Sequence, residues 1–181
     1  MREWDRLACR ALALAPYASP STALARLEPG DPSLEELARK NDILRALVGA
    51  VQQGGGAAAA ASPVLWLALW RGLAQLVRRH AQFLRDPDEA VSEVTDRFSM
   101  VVHGLRLEHV GRIALTLLRS TQRELQVLRG MSQGKSNGQI GRELYLSEDT
   151  VKTHARRLFR KLGVRDRAQA VAHGFRRGLV Q

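Results

Sequence analysis

The sequence predicts an all-α protein: a helical N-terminal domain followed by a smaller four-helix domain. Three observations carry this expectation. Ala and Leu dominate a chain that is 45% hydrophobic but only 5% aromatic, a composition suited to helix packing. Apolar residues recur at spacings of three and four nearly throughout, and no run alternates with the period of a strand. Capping and stop residues punctuate these runs at lengths typical of helices. With 181 residues, there is room for one large domain or two small ones.

Residues 1–118 read as follows. Glu3–Ala15 places Trp4, Leu7, Ala8, Ala11 and Leu14 at helical spacing, and Pro16 stops it. A short pattern at Ser21–Leu27 ends at Pro29-Gly30. Asp31 suits an N-cap with Pro32 at the first helical position, and Leu34, Leu37, Leu44, Leu47, Val48 and Val51 outline a longer helix. QQGGGAAAAASP, residues 52–63, is a Gly/Ala-rich break whose alanines either extend a helix or stay mobile. Ser62-Pro63 reads as a fresh start of a helix reaching about Leu84. Trp66, Trp70, Leu73 and Val77 form its expected inner stripe, and Arg71, Arg78, Arg79 and Arg85 lie opposite. Asp86 and Glu89 have capping-box spacing, and Val91, Val94, Phe98, Val101, Val102 and Leu105 follow on one stripe. Val110, Ile113, Leu117 and Leu118 continue apolar to a boundary at Ser120-Thr121.

Thr121 and Glu124 repeat the capping-box spacing, and four helices are expected beyond them: about Gln122–Met131, Asn137–Leu144, Glu148–Leu162 and Arg165–Arg176. Ser147 is a good N-cap for the third. Gly163 is a good stop, because glycine takes the left-handed conformation after a helix at little cost.

Charge separates the two parts. Of 28 Lys/Arg and 18 Asp/Glu, residues 120–181 hold 13 and 5, a net of +8, leaving +2 for residues 1–119. A segment so basic points to a polyanionic partner. Cys9 is the sole cysteine, so neither an internal disulfide nor a cysteine metal cluster is expected, and the residue reads as a small buried apolar group. A reducing, cytoplasmic setting fits. MREWDRLACR has charges throughout and does not read as a signal peptide. The uncharged stretch Gly54–Trp70 contains GGG and Pro63 and reads as too short and broken for a membrane span. His80, His103 and His109 lack paired metal-ligand spacing, so no metal, cofactor or catalytic residue is expected.

A helix-turn-helix needs a short first helix, a tight turn and a second helix that enters the major groove. Residues 137–156 supply that pattern. Ile140, Leu144, Leu146 and Val151 are spaced to fill the joint, with Gly141 at the close crossing. Val151, Ala155, Leu158 and Leu162 then point inward, which turns Lys152, Thr153 and Arg156 outward together near the start of the helix. That is where base edges are read. Thr150, His154 and Arg157 flank this surface as expected phosphate contacts, with packing against the domain an equal alternative for His154. So do Lys135, Ser136 and Asn137 at the start of the preceding helix.

The segment TQRELQVLRGMSQGKSNGQIGRELYLSEDTVKTHARRLFRKLGVRDRAQAV resembles the DNA-binding domain of LuxR/NarL/FixJ-type regulators over about residues 119–181. The carrying features are T-x-R-E, V-L, G-x-S-N-x-x-I, L-x-x-S-x-x-T-V-K-x-H and K-L-G-V-x-x-R-x-x-A-V. The resemblance implies a four-helix LuxR-type helix-turn-helix domain. It implies base reading by Lys152, Thr153 and Arg156, and backbone contact by Thr150, His154 and Asn137. Pairing of copies through the helix at Arg165–Gly174 is implied too. Ser120, Gln126 and Gly141 depart from the usual pattern; the glycine stands where Ala is customary, at ~1 kcal/mol of helix propensity.

The expected function is a sequence-specific DNA-binding transcriptional regulator, probing double-stranded DNA as a homodimer through the C-terminal helix, the N-terminal domain or both. RNA polymerase is a further expected partner, and a membrane is not. Residues 1–118 lack the β-branched strands and clustered acids of a phosphorylated receiver domain. Two other readings stand beside it. A sigma-like initiation factor shares the helix-turn-helix but not the KLGVRDRAQAV tail. An enzyme on DNA would need Asp86, Asp88, Glu89, Glu93 and Asp96 as metal ligands, and helix capping explains their placement better.

Overall fold

The computed structural model describes residues 3–28, 30, 33–82 and 87–176. Among these the regular structure is helical throughout: α1 Glu3–Arg10, α2 Pro20–Leu27, α3 Leu34–Gln53, α4 Gly55–Ala81, α5 Pro87–Gly104, α6 Ile113–Ser132, α7 Asn137–Leu144, α8 Glu148–Leu162 and α9 Arg167–Arg176, with 3-10 turns at Leu12–Leu14 and Leu107–His109. The all-α class is as expected. The chain resolves into two compact units. One comprises Met1–Leu73 with Val101–Leu118, the other Ala74–Met100 with Arg119–Gln181. Residues 74–100 thus group with the basic segment, a long-range association that no local pattern displays.

In the first unit, α3 is the central element. Ser33 caps it by accepting from the Glu36 N–H, and Ile43, Leu44, Leu47, Val48 and Val51 form its buried stripe. The cap expected at Asp31 with Pro32, the stop at Pro29, and Arg85 and Asp86 lie outside the described residues. Polar side chains of α3 satisfy the irregular backbone between α5 and α6, which has few partners of its own. The Arg45 guanidinium donates to the Leu107 carbonyl and, at 2.7 Å, to that of Val110. Gln52 Nε2 donates at 2.8 Å to the carbonyls of Val102 and Leu105, and Asn41 Oδ1 accepts from the Ile113 N–H at 2.8 Å. The helix at the N-terminus stops at Arg10 rather than Ala15; Leu14 is still fully buried, carried by the 3-10 turn. Trp4 is buried and its indole N–H donates to the Tyr17 carbonyl at 2.9 Å.

Gly54 and Gly55, at φ 79° and 62°, turn α3 into α4 with almost no loop. Only glycine takes such angles routinely. The alanines after them extend α4, so Pro63 lies inside the helix rather than starting it. Proline removes one helical hydrogen bond, and here it does so at an exposed position that follows a run of five alanines, Ala57 to Ala61, and Ser62. The unbroken helix also corrects the reading of Gly54–Trp70 as too short and too broken. At 27 residues, α4 is long and apolar enough to cross a membrane by length and composition, as core helices of soluble proteins also are. The expected Trp stripe is rotated: Val64, Leu65, Leu69 and Leu73 are buried, whereas Trp70 is half-exposed. Cys9 is exposed, not buried.

In the second unit, Thr121 and Glu124 are buried in mid-helix, so the expected start at Ser120-Thr121 is not a helix start. Buried Thr121, Leu125, Leu128 and, near the end, Met131 keep helical spacing, and glycine is absent between Ile113 and Arg129. Nothing in the stretch breaks the helix, so a capping pair becomes two core positions. His80, Glu93 and Arg97 are buried as well, with His80 Nε2 hydrogen-bonded to Glu93. α9 begins at Arg167 because Asp166 caps it: Asp166 Oδ1 accepts from the Gln169 N–H at 2.8 Å, and Gln169 Oε1 accepts from the Arg165 N–H at 3.0 Å.

Replacing Arg45 by Met keeps an apolar stem but leaves two carbonyls without their donor. Stability should fall by about 1–3 kcal/mol, read as a lower urea midpoint for loss of helical circular dichroism.

Candidate nucleic-acid interface

Local sequence chemistry sets the helix-turn-helix. Ser136 caps α7 with a full capping box: its Oγ accepts from the Gln139 N–H at 3.2 Å, and Gln139 Oε1 accepts from the Ser136 N–H at 2.7 Å. Tyr145 ends the helix in the left-handed conformation, φ 54°, and the Leu146 N–H reaches back to the Gly141 carbonyl at 2.8 Å. Ser147 then caps α8, accepting from the Thr150 N–H at 3.2 Å. Gly163 closes α8 at φ 66°.

The turn lies directly on α7. A Cβ at Gly141 would sit 2.7 Å from the Leu146 carbonyl oxygen, a contact that only glycine escapes without a shift. Across the other face, a Cβ at Gly130 of α6 would come within 2.6 Å of the Ile140 side chain. Val127, Leu128, Met131, Ile140, Val151, Ala155 and Leu158 make one buried cluster, with Leu144, Leu146, Phe159, Leu162 and Val171 packed against it. Of the joint residues expected from spacing, Ile140 and Val151 belong to the buried cluster, and Leu144 and Leu146 pack against it.

This packing fixes the faces of α8. Thr153, Arg156, Arg157 and Arg160 are exposed, and Lys152 is half-exposed. Lys152 Nζ is held by Glu148 at 3.0 Å and Asp149 at 3.5 Å. The hydrogen bond that Lys152 donates to Glu148, then the charge of Glu148, raises the Lys152 pKa above the usual lysine value. The Thr153 hydroxyl donates to the Asp149 carbonyl at 2.9 Å. Arg156 and Arg157 make no ion pair with the described residues, so their guanidinium groups are available to an incoming anion.

An open groove of about 200 Å³ brings Asn137 from α7 together with Lys152 and Arg156 from α8; Met131, Ala155, Phe159 and Arg167 complete it. Arg157 follows Arg156 by about 100° around the helix and lies outside that groove. Lys135 is paired with Glu143 at 2.7 Å, and the Thr150 hydroxyl shares a hydrogen bond with Ser147 at 2.8 Å. Neither pairing exhausts the group, because an ammonium carries three N–H donors and a hydroxyl both donates and accepts. Ser136 Oγ accepts within its capping box, which leaves its proton to donate. For His154, packing against the domain is the alternative that its burial favours. It is only 8% exposed, because it falls on the side of α8 shared with Val151, Ala155 and Leu158, so it packs inside rather than lying on the outer surface.

Arg167 is the residue that spacing alone left without a role. Its Nη2 donates to the carbonyls of Met131, at 3.0 Å, and Lys135, tying the end of α6 to α9, and burial lowers its pKa. It is the arginine of V-x-x-R in the closing motif, which was the available signal.

Residues 120–173 match the family described as bacterial regulatory proteins, luxR family. The transcriptional regulatory protein LiaR of Bacillus subtilis (strain 168) is 44% identical over 75 residues, which is 41% of this chain and 36% of that protein. The uncharacterized transcriptional regulatory protein YxjL of the same strain is 48% identical over 61 residues, 34% of this chain and 28% of that protein. The probable transcriptional regulatory protein NarL of Mycobacterium tuberculosis (strain ATCC 25618 / H37Rv) is 50% identical over 58 residues, 32% of this chain and 27% of that protein. The similarity thus spans roughly a third of these relatives' length. No solved structure matches the chain at a significant level. Residues 120–173 form a LuxR-family helix-turn-helix domain.

Gly141→Leu should open the turn from α7 and destabilise the second unit by about 1–3 kcal/mol or more. The check is faster amide hydrogen exchange at Ile140, Val151 and Leu158 relative to the first unit.

Proposed function

We propose that the chain is a sequence-specific DNA-binding transcriptional regulator in which residues 119–181 are the DNA-binding part and α8 is the reading helix. The observation that carries this is the outward face of α8 in a LuxR-family domain. There Lys152, Thr153 and Arg156 share one exposed side, and Asn137 at the α7 N-terminus joins Lys152 and Arg156 in one groove. Arg156 offers a planar, bidentate donor suited to guanine edges, and Lys152 a point charge freed when DNA displaces Glu148. Lys135, Ser136, Asn137, Thr150 and Arg157 are assigned to phosphates. His154 is assigned a supporting role behind them, in keeping with its burial. The net +8 of residues 120–181 supplies the sequence-independent attraction.

Residues 1–118 are assigned regulation or oligomerisation. Their described residues are helical, which does not suit a receiver domain built on a parallel sheet, so control by receiver phosphorylation is not part of the proposal. Binding as a homodimer through α9, the first unit or both, contact with RNA polymerase, and a cytoplasmic location complete it. The similar proteins named above are transcriptional regulators, and the sigma-like reading gains nothing from them.

Arg156→Ala should cost about 1–3 kcal/mol on a selected duplex and relax base choice at one position, while Arg157→Ala should weaken all sequences evenly and flatten the salt dependence. Fluorescence anisotropy on selected and scrambled duplexes over a salt series measures both. Equal loss on both duplexes from Arg156→Ala would remove it from the base-reading set.

A further inference from the structure

The first unit contains a cleft of about 610 Å³ that the DNA-binding proposal does not use. It opens between the end of α2, α3, the middle of α4 and the start of α6. Its walls are apolar, with Leu27, Leu37, Leu44, Leu69 and Leu115 among them. At its mouth, apolar groups are left uncovered: Leu37 is 52% and Leu115 38% exposed. The volume falls in the range of about 300–1,000 Å³ that small-molecule sites occupy.

Four polar side chains line it: Lys40, Asn41, Asp42 and Arg112. Asn41 is committed to the Ile113 N–H, and Lys40 donates to the Glu28 carbonyl. Arg112 is exposed and makes no ion pair with the described residues. Two cations against the one carboxylate of Asp42 leave the lining net positive. Apolar walls with a spare guanidinium in the lining match a molecule with an apolar body and an acidic head. We propose that this cleft binds a small amphipathic carboxylate, its chain or ring among the leucines and its acid group on Arg112.

The test uses the full chain without DNA, so its failure and that of the DNA-binding reading are separable. Decanoate is titrated by calorimetry, with decanol and decyltrimethylammonium as head-group controls. Leu37→Glu and Arg112→Gln are the variants; both change exposed positions, and circular dichroism checks their helicity. The expected result is saturable decanoate binding, one per chain. Decanol should bind about tenfold more weakly, the loss of one charged hydrogen bond. Leu37→Glu should abolish binding, and Arg112→Gln should reduce decanoate to the level of decanol. Should Leu37→Glu lose helicity, Arg112→Gln decides alone. The proposal is overturned if no probe binds saturably or the cationic detergent binds as tightly as decanoate. It is equally overturned if decanoate binding survives Arg112→Gln unchanged, or disappears as the chain self-associates, which would mean that a second copy fills the cleft.

Discussion

The closeness of the Tyr145–Ser147 turn to Gly141 governs the orientation of everything at the candidate interface. The Leu146 carbonyl oxygen lies 2.7 Å from where a Cβ would be, so the turn can sit this close to α7 only because residue 141 is glycine. α8 therefore leaves the turn in one direction, and Val151 and Leu158 lock it by burial in the cluster that Ile140 anchors. An exposed side for Thr153, Arg156, Arg157 and Arg160 is the geometric remainder. The arginines contribute little to this arrangement. They sit where the packing of other residues leaves them, which frees their guanidinium groups for a partner.

Electrostatics works in two opposed ways on that side. Glu148 and Asp149 favour the α8 N-terminus through the helix dipole, and they also hold Lys152. An anion approaching Lys152 must displace them or share it. Such pairs between exposed groups are weak, so the exchange is cheap. Lys135 with Glu143 repeats the device on α7. These acids restrain the basic surface without cancelling it, and a partner with many closely spaced phosphates gains more than a single carboxylate offers.

Legibility in the sequence followed how local each determinant is. The limits of α7 and α8 were readable because a capping box, Ser147 and Gly163 act within a few residues. The inward set Ile140, Val151, Ala155 and Leu158 was readable from periodicity. Thr121 and Glu124 have the same spacing as a capping box and were misread, because their burial is decided by neighbours distant in sequence. The same holds for Trp70, displaced outward by one step in the stripe of α4, while His154 was left open between phosphate contact and packing because its burial depends on where the stripe of α8 is centred. Pro63 reads as a start by rule, yet the preceding alanines carry the helix through it. The ties from Arg45, Gln52 and Asn41 to the backbone near Val110 have no sequence signature at all, since they join residues more than 50 positions apart or nearly so. The candidate interface was therefore legible in outline, and its internal pairing was not.

The central claim is that packing at Gly141 presents one side of α8 and the α7 N-terminus to DNA. The most direct measurement is an amide chemical-shift titration of the full chain with a duplex selected from a random pool. The largest changes should map to Asn137, Lys152, Thr153 and Arg156, with small ones at Val151 and Leu158 on the buried side. Changes centred on α3 or α5, with α8 unmoved at saturating duplex, would contradict it.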